Sequence, residues 1–208
     1  MHIALIGMSN IGKTHWADRL VAEHGFVKID CDLMVEQRLG PELQQHGYAG
    51  IQEVAKWMGQ PYAPQYPDTS QKFIECERDT MQNVIAQLRA TPIEKTYVVD
   101  TTGSVIYQDN KILEEMRSLA RVVYFEASPA HRQELFKRYM EEPKPVVWGD
   151  AFSRNPGEND LQALERCYPL LLESRARRYE KLTHVTIPFT QHRKSGFDMK
   201  ILLSLTGP

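Results

Sequence analysis

The sequence predicts an α/β protein in three layers: a five-stranded parallel sheet with helices on both faces and a mobile lid. Three observations predict it. The apolar run Ile3-Ala4-Leu5-Ile6 leads straight into a glycine-bounded turn, Gly7-Met8-Ser9-Asn10-Ile11-Gly12-Lys13-Thr14, after which helical spacing begins. Further apolar runs alternate with segments of helical period, the order that yields parallel strands joined by helical crossovers. Carboxylates end two of those runs, as Asp30-Cys31-Asp32 and as Asp100, at the sheet edge where open α/β sheets bind ligands. With 208 residues, 42% of them hydrophobic, the chain suits a single domain over residues 1–208 with inserted segments.

Residues 2–6 are apolar at almost every position, as a strand covered on both faces must be. The helix after the turn places Trp16, Ala17, Leu20 and Val21 on one face and stops near Gly25, a residue suited to the left-handed position beyond a helix. Residues 26–30 form the second strand, and residues 33–39 resume helical character. From 40 to 70 the periodicity is weak. Residues 52–58 fit a short helix, whereas the three prolines of 59–67 do not permit one. This stretch reads as a surface loop or as a flap, making 33–70 an acceptor-binding insertion.

Residues 71–88 are helical, with Phe73, Ile74, Met81, Val84, Ile85 and Leu88 as the apolar stripe. Tyr97-Val98-Val99 is the third strand, 109–119 a helix and 121–125 the fourth strand. Ser128-Pro129 supplies a cap and a first-turn proline for a helix to about residue 140. Residues 141–159 mix charges, prolines and glycines without a period, the composition of a mobile lid. Residues 160–182 are helical, with Pro169 expected to kink or restart the helix. Residues 183–187 complete the sheet, and 196–205 form a last helix.

The turn matches G-x-x-x-x-G-K-[ST], the Walker A pattern, in the strand–loop–helix context that gives it meaning. Its glycines let successive N–H groups turn inward, and the following helix aims its positive dipole end at the same point. Gly7, Ser9, Asn10, Ile11, Gly12, Lys13 and Thr14 are therefore the expected nucleotide-binding residues, with ATP and Mg²⁺ as cofactors and a P-loop NTPase or kinase fold around them. Lys13 would reach the phosphates and Thr14 the metal.

Mg²⁺ takes hard oxygen ligands and keeps several waters, so Thr14 plus one carboxylate suffices. Asp100 has the place of the second-strand acidic residue of phosphate-loop proteins, and Asp30 is the other metal-side candidate. Either Asp30 or Asp32 could instead cap the following helix. A strand ending between them would let them diverge, one toward the metal and one toward the proton of an acceptor hydroxyl. Lys144, Arg138 and Arg154, in or beside the lid, are the cations available to offset phosphoryl charge. Trp16 and Trp57 read as core, while Trp148 in the lid could pack on a ligand.

The formal charge of −2 leaves no basic excess, so neither nucleic acid nor an anionic membrane is an expected partner. Cys31, Cys76 and Cys167 are far apart and form no C-x-x-C pair, as in a cytoplasmic protein, and they make no zinc spacing with the seven histidines. The first apolar run is too short for a signal peptide or a membrane span. The expected partner is a small-molecule acceptor, bound by a monomer or a dimer.

Taken in order along most of the chain, the motifs resemble the shikimate kinase family of small-molecule phosphate-loop kinases. Asp30-Cys31-Asp32-Leu33-Met34-Val35-Glu36 resembles that family's D-x-D-x-x-I-E, and Phe73-Ile74-Glu75-Cys76-Glu77 its F-R-x-x-E. Val98-Val99-Asp100-Thr101-Thr102-Gly103-Ser104 is similar to its strand and triple-glycine turn. Lys144-Pro145-Val146-Val147-Trp148-Gly149 resembles the lid motif R-P-L-L-x-G, and Arg175-Ala176-Arg177-Arg178-Tyr179 resembles R-x-x-x-Y. The resemblance implies that Asp30 assists Mg²⁺ and that Asp32 binds the acceptor and serves as base. It implies a catalytic lid cation in Lys144, and acceptor contacts from Glu77, Gly103 and Arg175.

The departures point away from shikimate itself. Ile74 stands where the family has an acceptor-gripping Arg, which deletes a bidentate carboxylate clamp. Side chains replace two glycines of the turn, and the lid Arg is Lys144. The expectation is an ATP- and Mg²⁺-dependent phosphotransferase acting on a hydroxyl of another small polar metabolite. A nucleoside or nucleotide kinase shares the architecture, and a non-catalytic ATP-binding regulatory protein would keep the loop without the acceptor.

Overall fold

The computed structural model describes residues 1–48, 50–92, 94–128, 132–141 and 144–207. Five strands, β1 (His2–Gly7), β2 (Val27–Asp30), β3 (Tyr97–Asp100), β4 (Ala120–Phe125) and β5 (Val185–Ile187), form a parallel sheet in the order β2-β3-β1-β4-β5. In this register Asp100 stands opposite Leu5 of β1 on one side and opposite Asp30 of β2 on the other. The carboxylates at the strand tips are thereby brought level with the end of β1.

Alternate residues of the central strands divide the core. Ala4, Ile6, Val99, Val122 and Tyr124 face a large cluster. It is built from α2 (Cys31–Gln45), α3 (Ile51–Met58), α4 (Tyr66–Arg89), α5 (Asn110–Leu119), α6 (Arg132–Glu141) and α7 (Asp160–Leu182). Ile3, Leu5, Val98, Val123 and Phe125 face a smaller one with Trp16, Ala17 and Leu20 of α1 (Lys13–His24) and Met199 and Leu202 of α9 (Met199–Thr206). Strands so enclosed must be apolar on both faces, which is why they read as continuous runs. Trp16 and Trp57 are core residues, as expected. Among the described residues no helix is long and apolar enough to cross a membrane.

Several boundaries move, each for a local reason. α2 begins at Cys31, directly after β2, because the Asp30 side chain accepts from the Leu33 amide at 3.0 Å and caps it. α2 runs through Pro41 to Gln45, and α4 starts at Tyr66 with Pro67 in its first turn, where the missing N–H costs nothing. Residues 40–45 and 66–70 are therefore helical, while 59–65 form turns, as the prolines there require. α7 continues unbroken through Pro169: nine buried side chains on its inner face outweigh a proline penalty of about 3 kcal/mol. A short helix, α8 (Phe189–His192), precedes α9 and had no sequence signal. The Ser128-Pro129 helix start falls outside the described residues.

The middle of the lid segment, 146–148, is packed rather than free. Val146, Val147 and Trp148 are buried, Trp148 at 1% exposure inside an aromatic cluster with Tyr139, Phe152 and Tyr168. The Tyr66 hydroxyl accepts from the Trp148 amide at 2.7 Å and donates to the Val146 carbonyl at 3.0 Å. Trp148 is thus a core side chain and not a ligand platform.

Candidate active site

The loop between β1 and α1 is a backbone cradle. Gly7 has φ +145°, and a Cβ there would lie 2.8 Å from the Phe125 carbonyl oxygen, so no other residue fits. Asn10 (φ 64°) and Gly12 (φ 111°) also take left-handed conformations. No side chain caps α1 at Gly12, which leaves its first-turn amides open to an outside acceptor. Lys13 is 6% exposed and folds over the loop, donating to the carbonyls of Gly7 at 3.1 Å and Met8 at 3.2 Å. Among the described residues no carboxylate bonds to it, so that ammonium is available to a phosphate. Ser9, Asn10, Gly12 and Thr14 line the cleft, whereas Ile11 turns into the core and its carbonyl accepts from Arg193 at 3.1 Å. Uncapped amides, one buried ammonium and an obligatory glycine fit a polyphosphate.

Beside the loop stand three carboxylates. Asp100 is 5% exposed; burial raises its pKa, while Lys13, a hydrogen bond from Thr14 and Lys28 pull the other way. Lys28, on the same face of β2 as Asp30, holds its ammonium 2.9 Å from Asp18, 3.3 Å from Asp30 and 3.8 Å from Asp100. Burial by itself would lower the Lys28 pKa, but these carboxylates outweigh it and the group is raised. Among the described residues no three His, Cys, Asp or Glu side chains form a metal site by themselves. Two carboxylates and the Thr14 hydroxyl are a hard oxygen set that fits Mg²⁺ once phosphate and water complete the shell.

Asp32 sits in the first turn of α2 and opens into the cleft. Water reaches it, yet the walls desolvate it, and the carboxylates of Asp100, Asp30 and Glu77 repel its charge. Against Lys13, these effects raise its pKa from 3.8 to about 6. The cleft, about 520 Å³, joins the loop, Asp30 and Asp32 to Leu33, Glu36, Phe73, residues 102–104, Arg138, Lys144 and Pro145. Arg154 lies elsewhere, against Asp160.

Two residues that the resemblance makes acceptor contacts lie behind the wall. Glu77 is fully buried and accepts from Thr102, Ser104 and Gln108; burial raises its pKa and those bonds restrain the rise. Arg175, 1% exposed, donates to the carbonyls of Val147 at 2.6 Å and Gly103 at 3.4 Å, with Tyr107 5.5 Å from its guanidinium. A Cβ on Gly103 would meet the Ser9 hydroxyl at 3.1 Å, so this turn and the phosphate loop touch. Sequence reasoning assigned Lys28 and Glu36 no role. Their signals were spacing: Lys28 precedes Asp30 by two in a strand, and Glu36 follows Asp32 by four in a helix.

The chain is similar to solved shikimate kinases at low identity. The enzyme from Acinetobacter baumannii, in complex with shikimate, shares 20% identity over 96% of this chain and 87% of its own, with a TM-score of 0.61. The Bacteroides thetaiotaomicron enzyme gives 19%, 93%, 89% and 0.57, and the Aquifex aeolicus enzyme 17%, 99%, 96% and 0.57. No curated protein matches the chain in sequence. Residues 3–146, from β1 to the start of the buried strap, match the family described as AAA domain. The chain belongs to that AAA domain family, and it is built on the P-loop fold of the shikimate kinases.

Proposed function

We propose that this protein is a cytoplasmic, ATP- and Mg²⁺-dependent kinase that phosphorylates a hydroxyl of a small polar metabolite. One observation carries the reading: a phosphate cradle with an available ammonium and a carboxylate of raised pKa face each other in one cleft. When bound, Mg²⁺·ATP supplies the phosphoryl group and part of the charge neutralisation.

The rest falls to this chain's residues. Lys13 exchanges the carbonyls of Gly7 and Met8 for phosphate oxygens, beside the loop amides. Thr14, with Asp30 and Asp100, holds the metal side. Asp32, ionised at neutral pH yet basic enough to take a proton, accepts it from the acceptor hydroxyl. Residues 33–70 supply the acceptor wall. Lys144, beside the packed strap 146–148, is the cation of the lid segment 141–159 that would reach the phosphates. Glu77 and Arg175 serve the acceptor by fixing the turn that contains Gly103.

Labelled ATP incubated with the protein and a library of hydroxylated metabolites is expected to label one class of them, and Asp32→Asn to abolish the labelling while nucleotide still binds. Undiminished transfer by Asp32→Asn would remove the base. If calorimetry with Mg²⁺ finds neither ATP nor GTP bound, the reading fails. Nucleotide binding with no transfer at all would favour a regulatory ATP-binding protein.

A further inference from the structure

The cleft is electrically polarised along its length. Lys13 and Lys144 border Ser9 and Asn10, and Arg138 borders Asn10 and Ile11, so the cations gather at the phosphate end. The other end carries Asp32 and Glu36, one helical turn apart on α2, beside the apolar Leu33 and Phe73. Lys13 partly offsets Asp32, but among the described residues no cation pairs with Glu36. Arg175 keeps its guanidinium bound to backbone carbonyls behind the wall. Arg38 pairs with Asp79 and Lys72 with Glu42. Glu36 has no hydrogen-bond or ion-pair partner among the described residues.

An anionic acceptor would meet Glu36 with no cation beside it and Asp32 only partly offset by Lys13. A neutral polyol can donate a hydroxyl hydrogen bond to Glu36 but leaves its charge unopposed beside apolar side chains. An ammonium satisfies it with a charge-assisted hydrogen bond.

We infer that the acceptor is a hydroxylated amine, its hydroxyl directed to Asp32 and its protonated amine bound by Glu36. Side chains four apart on a helix are neighbours at roughly 5–6 Å between Cβ atoms, so hydroxyl and amine should be separated by about that span. This rests on the kinase reading and names the acceptor class of the same cleft.

The test uses the full chain with Mg²⁺ and a non-hydrolysable ATP analogue, whose own binding is measured first by calorimetry. Three matched probes are then compared: cyclohexanol bearing, across the ring, an amine, a second hydroxyl or a carboxylate. The amine is expected to bind about tenfold or more tighter than the diol, the gain of one charge-assisted bond, and the carboxylate weakest. Glu36→Gln should erase the amine's advantage and Glu36→Lys should transfer it to the carboxylate, with circular dichroism confirming that both variants are folded. Equal binding of amine and diol, tightest binding of the carboxylate, no binding of any probe, or an advantage that survives Glu36→Gln each overturns the inference while the kinase reading stands. Failure of the nucleotide to bind takes both down.

Discussion

Arg175→Met separates two roles for a buried guanidinium. The Val147 carbonyl loses a 2.6 Å charge-assisted hydrogen bond, worth about 1.5–3 kcal/mol. Removing the cation from beside Tyr107 costs about 1 kcal/mol more. The Gly103 carbonyl loses little, because Tyr179 also donates to it. Relief acts the other way, since the guanidinium is buried and its Nε finds no partner. The balance is a loss of roughly 2–3 kcal/mol, or about 5–10 °C in melting temperature for a domain of this size. Urea unfolding followed by fluorescence measures it, and nucleotide titration and acceptor KM are read on the same variant. A residue gripping the acceptor from the cleft would behave oppositely, raising KM severalfold at unchanged stability. Arg175→Met within about 0.5 kcal/mol of wild type would refute the tethering role.

Lys13→Met should weaken Mg²⁺·ATP binding by about a hundredfold, the loss of a charge-assisted contact in a dry cradle, as calorimetry will show. Asp32 should set an acidic limb: kcat/KM is expected to fall tenfold per unit below about pH 6, and Asp32→Asn to lower transfer by roughly 10²–10⁴. Its raised pKa also affects folding. Between pH 3.8 and about 6 the folded chain holds a proton that the unfolded chain has released, so stability falls as pH rises through that window, and Asp32→Asn should raise the melting temperature at neutral pH but not in strong acid. Gly7→Ala should cost roughly 3 kcal/mol or more in urea unfolding, for backbone strain and the contact with Phe125. Gly25→Ala, at φ +68° with open space around it, should cost about 1–2 kcal/mol.

The sheet was legible because its strands are enclosed on both faces and so read as apolar runs, and the phosphate loop because only glycine satisfies its backbone. The insertion was not. Pro41 and Pro67 look like breakers, but one sits in a helix held by Cys31, Val35, Leu39 and Leu43, and the other in a first turn where proline costs nothing. Pro169 misled for the same reason, tertiary burial overriding local preference. In the site, local order predicted which residues gather at the strand tips, since Asp30, Asp32 and Asp100 follow strands. Burial was not readable: Glu77 and Arg175 sit in the expected motifs, but whether a helical charge faces ligand or wall depends on hydrogen bonds to residues far away in sequence. Lys28 belongs to the same class, its meaning set by a partner on β3 some seventy positions later.

Tyr66 bridges the first turn of the helix carrying Phe73 to the strap that leads back to Lys144, through one oxygen that both donates and accepts. Wall and cation are therefore geared together. On the proposed kinase reading, a change that reshapes the acceptor side to admit a bulkier molecule is expected to shift the chain that presents Lys144, altering turnover as well as specificity. Substitutions that retune specificity here should consequently arrive with compensating changes around Val146 and Trp148, and a Tyr66→Phe protein, its gear teeth filed away, is where the two properties should begin to vary independently.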